Sequence, residues 1–224
     1  MELDKTPSVS SDGTLTSCRT LLIDSKGIGF FRLPFPPRQL ELPILDATDG
    51  SLAYVSTRER VSSGTAVLSK PTVGDLVKTE YFFRPGRGPI VTSLQADKPS
   101  SKVHGRWTSR ITSFRMPNGE AFEWSYGRQK AADGEKANLI VLRAIEEAHR
   151  TGTILARLIR GEETRAPGSK KCSAGNGGTL VIDSSYLLPE EIIVATCLIM
   201  LEREIDRRRM TQAMMLSAAA SGGP

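Results

Sequence analysis

Histidine and cysteine are scarce, with two of the first and three of the second in 224 residues. His104 and His149 stand in no motif with a nucleophile. No Gly-x-Ser-x-Gly, His-Glu-x-x-His or paired-cysteine pattern occurs, so the usual carriers of proton transfer and metal ligation are missing. Cys18, Cys172 and Cys197 are widely spaced and match no zinc-ligand pattern, and an odd, sparse count fits a reducing compartment. Glycine is plentiful without forming a phosphate loop. The "GRG" at Gly86–Gly88 and the "GNGG" at Gly175–Gly178 neither open a helix after a strand nor carry a Lys-Ser/Thr pair. The expectation is a non-enzymatic chain that uses no metal and no cofactor.

Long apolar runs are also lacking. The N-terminus, "MELDKTPSVSSDGTLTS", has no apolar segment of the secretory kind and is not Arg-rich. The longest candidate, Ile192 to Leu201, spans about 15 Å as a helix, roughly half a bilayer core. No transmembrane segment is expected, and the reading is an intracellular, cytoplasmic protein. Aromatic residues are 6% of the chain, and Phe114, Phe122 and Trp124 are read as packing against one another, which argues against base stacking on nucleic acid. Trp107 and Tyr126 are likewise read as packing residues.

What is present is a strand rhythm. Residues 1–18 are polar and Ser/Thr-rich and are read as a disordered arm, and 217–224 as a similar tail. Between them, 19–216 is a succession of short apolar or alternating runs closed by Gly, Pro or Asn, which predicts ten to twelve strands. Asp49-Gly50 and Asn118-Gly119 each sit between two such runs and predict hairpins, the second with a type I′ turn. "ANLIVLRAIEEAHR" and "TILARLIR" flank Thr151-Gly152 and are read as a further strand pair. "RAPGSKKCSAGNGG" is read as a loop.

The stretch "PEEIIVATCLIMLEREIDRRRM" breaks the rhythm. Pro189, Glu190 and Glu191 form a helix start. The residues from Ile192 to Leu201 are apolar round the whole circumference, which requires enclosure by protein. Cys197 falls in this run and is read as a small buried hydrophobe. The helix is expected over 189–215, with a polar extension in which Glu204 and Arg208 are spaced for an i, i+4 pair and Arg207–Arg209 cap an exposed end. One enclosed helix after about twelve strands predicts a mainly β fold: a closed antiparallel barrel around a central C-terminal helix.

Three passages carry a family resemblance: "RWTSRITSFRMPNGEAFEWSYG", "GTILARLIR" with "GGTLVID", and "EEIIVATCLIMLEREI". Over about Trp107 to Ile205 the chain resembles the tubby C-terminal-like superfamily, which includes the LURP-one-related proteins and the phospholipid scramblases, and in particular its small fungal members. The resemblance implies a twelve-stranded barrel around a C-terminal helix. It also implies peripheral association with membranes, phosphoinositide binding in the tubby branch, and lipid handling in the scramblase branch. The cysteine cluster, acidic loop and proline-rich arm of scramblases are absent.

The formal net charge is +5, which favours acidic partners. Arg84, Arg87, Lys102, Arg106 and Arg110 fall in or beside one predicted hairpin region, with Lys102, Arg106 and Arg110 on one strand face. These five are the candidate residues for anionic phospholipid headgroups. Lys170-Lys171 is a further basic spot. A protein partner without any lipid is the alternative, and a scramblase-like activity is a third.

Overall fold

The computed structural model describes residues 18–29, 39–60, 63–82, 87–95, 100–105, 109–130, 136–145, 152–170 and 172–221. The short alternating runs become strands: Cys18–Ile23 (β1), Lys26–Ile28 (β2), Glu41–Asp46 (β3), Leu52–Thr57 (β4), Thr65–Lys70 (β5), Gly74–Glu80 (β6), Ile90–Ser93 (β7), Ser100–His104 (β8), Thr112–Arg115 (β9), Ala121–Lys130 (β10), Lys136–Ile145 (β11), Ile154–Arg160 (β12), Ala174–Asn176 (β13) and Thr179–Asp183 (β14). A single described helix, Glu190–Ser221 (α1), follows them.

Twelve strands close into an antiparallel barrel in the order β1, β14, β12, β11, β10, β9, β8, β7, β6, β5, β4, β3, with β3 returning to β1. From β3 to β12 each barrel strand pairs with the next in sequence, and β14 and β1 complete the ring. Closure pairs every backbone edge, so no strand is left as a template for aggregation. The expected barrel is therefore present. Two strands lie outside the expected rhythm: β1, and β13, which falls inside the Gly/Ser/Lys segment read as a loop. β13 pairs with β2 in a separate two-stranded ribbon.

The Asn118-Gly119 hairpin forms between β9 and β10, but its loop has three residues instead of two. Met116 N–H donates to Glu120 O, and Gly119 N–H donates to Met116 O. Gly119 has φ +91°, the arrangement in which a type I turn is closed by a left-handed glycine. Pro117 explains the difference. A two-residue loop would pair Pro117 with Glu120, and proline has no N–H to give.

Inside the ring, Phe114, Phe122 and Trp124 pack with Leu21, Ile44, Leu142 and Leu158 against the helix, all 2% exposed or less. Every helical residue from Ile192 to Leu201 is buried, as all-round apolarity requires. Trp124 Nε1–H donates to Thr196 Oγ1 at 3.0 Å, and Thr196 lies 2.7 Å from the Ile192 carbonyl. This fixes the helix against the wall in both rotation and height. At the N-terminal end, Tyr54 O–H donates to Glu190 Oε1 at 2.8 Å and the Arg19 guanidinium lies 3.3 Å from the same carboxylate.

The helix is longer than expected, 32 residues, and reaches Ser221. Ser217–Ser221, read from sequence as the start of a tail, are helical. The reason is local: Met210 to Ser221 contains neither glycine nor proline, and its alanines, methionines, leucine and glutamine are good helix formers.

Candidate functional site

Because neighbouring strands are antiparallel, the ends of β4, β6, β8, β10 and β12 gather at one mouth of the barrel, and there the helix leaves. The charged residues "EREIDRR" lie at that mouth. Arg58 Nη2 meets Glu202 Oε1 at 2.8 Å, and its guanidinium stacks 5.0 Å from the Tyr81 ring. Arg203 donates to Thr112 Oγ1 at 2.8 Å and to Gly105 O. Arg207 donates to Tyr126 Oη at 2.7 Å and to Ser109 O at 3.1 Å.

Glu204 is the centre of this ring. Arg160 holds it with both Nη atoms, at 2.7 and 2.9 Å, Gly175 N–H donates to Oε2 at 2.8 Å, and Tyr126 hydrogen-bonds it as well. Burial alone would raise this carboxyl, but the Arg160 charge and these hydrogen bonds outweigh it and hold Glu204 below the ordinary carboxylate value. Burial, reinforced by the Glu204 charge, pushes the Tyr126 hydroxyl up, so it stays a protonated donor. The i, i+4 pairing expected of Glu204 with Arg208 is replaced: the barrel offers Glu204 a bidentate arginine, and Arg208 donates to Cys172 O at 3.1 Å. Arg207–Arg209 do not cap the helix end, because the helix continues for three more turns past them.

Gly175 makes this closure possible. It has φ +73°, and a Cβ there would lie 2.4 Å from Ile205 Cγ1 and 2.8 Å from Leu201 O. Only glycine lets the β13 backbone lie directly on the helix and reach Glu204. The bare backbone explains why "SAGNGG" reads as a loop in sequence yet forms a strand.

The candidate basic residues are distributed round this mouth. Arg87 lies in the β6–β7 connection, exposed, with its guanidinium 3.8 Å from the Phe82 ring. Lys102 is exposed on β8, opposite Ile90. Arg110 is exposed in the β8–β9 connection, 5.9 Å from the Tyr126 ring. The expected single strand face does not form, because β8 ends at His104 and Arg203 occupies the space at Gly105, so Arg110 sits in a connection instead of on the strand. Arg84 and Arg106 lie outside the described residues, as do Trp107, His149 and Lys171. His104 is exposed at the end of β8, and no group of three or more potential metal ligands occurs among the described residues.

Beyond the arginines the chain changes character. From Met210 to Pro224 there is no charged residue. On this projecting helix Met210, Met214, Met215 and Leu216 are 40, 63, 52 and 46% exposed. Ile111, beside Arg110 on the same rim, is 47% exposed. The arrangement is an uncharged, apolar helical tip rising from a cationic collar. It was not expected from sequence, since the tail was assigned no structure.

Burial pushes the Cys197 thiol up to about 12, so it is protonated and shielded. Cys18 and Cys172 are exposed. Titration of the native protein with an aromatic disulfide reagent is therefore expected to modify Cys18 and Cys172 rapidly and Cys197 only after denaturation. Rapid reaction of all three thiols would contradict the closed barrel.

Fold and mouth together define a closed twelve-stranded antiparallel β-barrel plugged by a C-terminal helix whose end projects from one rim. No family model, curated protein or solved structure matches the chain. No described helix is long and apolar enough to cross a membrane.

Proposed function

We propose that the protein is a non-enzymatic binding module that docks peripherally on anionic phospholipid surfaces through the helix-exit end of its barrel. The observation that carries this is the position of the apolar tip directly beyond the arginine collar. A helix end with exposed Met and Leu and no charge enters the headgroup and acyl boundary at little desolvation cost, while cations just behind it meet the lipid phosphates. Arg87, Lys102 and Arg110 are the exposed cations of that rim, each worth on the order of 1 kcal/mol near an anionic leaflet. A barrel around a terminal helix is also the architecture that a tubby-like membership implies, which supports the reading without carrying it.

Co-sedimentation with vesicles tests it. The full chain is expected to pellet with phosphoinositide-containing vesicles and not with neutral ones, and to be released by salt as the Debye length shrinks. The double substitution Met214→Glu and Met215→Glu is expected to abolish pelleting while leaving thermal stability unchanged, because both side chains are exposed. Absence of pelleting by the unaltered protein at low salt would sink this reading. The opposite end of the barrel then gains weight as a protein-docking surface, since Leu187 there is 96% exposed.

A further inference from the structure

The wall formed by β10, β11 and β12 carries a second feature, on the barrel flank. Ile140 and Leu142 belong to the core around the helix, so Leu139, Val141 and Arg143 face outward. Outward apolar residues on a barrel wall are ordinarily wet, yet Leu139 and Val141 are only 3 and 5% exposed. Their neighbours explain it. Gly127 lies opposite Leu139 and Ser125 opposite Val141 on β10, and Arg157 lies opposite Val141 on β12. With no side chain at Gly127 the wall is dented, and Arg128, Arg143 and Arg157 border the depression that results.

The electrostatics of the depression are unbalanced. Arg143 and Arg157 are close enough to disfavour one another: burial first, and then the Arg157 charge, lower the Arg143 guanidinium from its ordinary value, with Glu123 opposing. Arg143 also donates to Ser125 Oγ at 3.3 Å. Three arginines against Glu123 leave a surplus of two positive charges. Guanidinium forks of this kind match the oxygens of a phosphate, and a phosphate monoester carries close to two negative charges at neutral pH.

We propose that this depression binds a phosphate monoester on a short apolar stem, the phosphate held by Arg143 and Arg157 with Ser125, and the stem lying in the dent over Leu139 and Val141 left by Gly127. The depression is shallow, so only the first few atoms of the stem are recognised. It is separate from the helix tip.

Calorimetric titration of the full chain with butyl phosphate, against inorganic phosphate as reference, tests the proposal. Saturable one-to-one binding of butyl phosphate is expected, about tenfold tighter than phosphate because part of the butyl chain leaves water. Gly127→Val is the sharpest variant. A Cβ at this position meets Leu139 Cβ at 3.6 Å and Val141 Cγ2 at 3.8 Å, ordinary contacts, and the added side chain fills the dent without moving backbone. It leaves all three arginines in place, is expected to hold or raise the melting temperature, and weakens butyl phosphate binding at least about tenfold. The double variant Arg143→Gln and Arg157→Gln is expected to lose binding altogether. No saturable binding to the unaltered chain, equal affinity for the two phosphates, or undiminished binding by Gly127→Val would each overturn the proposal. Neutral vesicles doped with phosphatidate then identify the natural source. Pelleting that Gly127→Val reduces assigns the site to a lipid headgroup, and pelleting that it leaves unchanged assigns it to a soluble ester.

Discussion

Arg160→Ala is expected to lower the free energy of unfolding by about 3–5 kcal/mol, measured by urea denaturation, because it strands a buried carboxylate. Arg160 is 8% exposed, and its two Nη atoms supply the strongest bonds Glu204 makes. Converting both partners, as Arg160→Met with Glu204→Met, is expected to recover most of that loss. Two apolar side chains of similar length leave no orphan charge, and only the Gly175 N–H loses its acceptor. The pH dependence gives an independent check. Glu204 is held below its ordinary value in the fold, so its contribution is fully present above the unfolded carboxyl value of about 4.3. It is lost as pH falls through the lower folded value. The unaltered protein should therefore lose stability on acidification below about pH 4, and the doubly substituted protein should lose less over that interval. Equal acid sensitivity in the two proteins would show that Glu204 does not carry the linkage.

Trp124→Ala is expected to cost about 3–5 kcal/mol for the volume it removes from the core. Its side chain is 0% exposed and lies between the wall and the helix. Thr196→Val isolates the polar half of the contact. Shape is nearly kept, but the Trp124 Nε1–H is left buried without its acceptor, for a loss of about 1–3 kcal/mol. Trp124→Phe differs again, because Thr196 keeps its bond to the Ile192 carbonyl and no donor is orphaned; its cost is one of packing alone. Denaturation midpoints of the three variants should fall in the order alanine lowest, with valine and phenylalanine between it and the parent. A Thr196→Val protein as stable as the parent would mean that the indole finds another acceptor.

Much of this architecture is legible in the sequence, for identifiable reasons. The stretch Ile192 to Leu201 is apolar on every face, and physics leaves a ten-residue helix of that kind nowhere to go but inside protein. The hairpins at Asp49-Gly50 and Asn118-Gly119 announce themselves through glycine, as both left-handed φ values show. What escapes a linear reading is whatever depends on distant partners. Glu204 looks like half of a pair with Arg208 until the end of β12 brings Arg160 to it across 44 positions. The strand at Ala174–Asn176 looks like loop because its glycine is needed by the helix it touches. The basic candidates Arg87, Lys102 and Arg110 do gather at one mouth, but the helix that makes that mouth interesting lies far downstream. The flank depression did leave a trace: "LIVL" at Leu139–Leu142 is apolar on both faces of a strand whose outer side should be wet. An uninterrupted apolar run in a barrel strand marks a place where something covers the outside.

The order of elements along the chain has a further consequence for how the molecule is made. The residues that fill the barrel are the last described ones, and the ring itself closes only when β14 reaches β1, pairing Cys18 with Asp183. A ribosome therefore releases the whole wall before its plug exists, with the inner faces of a dozen strands still uncovered. Folding must wait for the end of translation and depends on contacts of high sequence separation, which are slow to form. During that interval the nascent wall has both an exposed apolar face and open strand edges, and the cell's chaperones are the natural occupants of the space that the helix later takes.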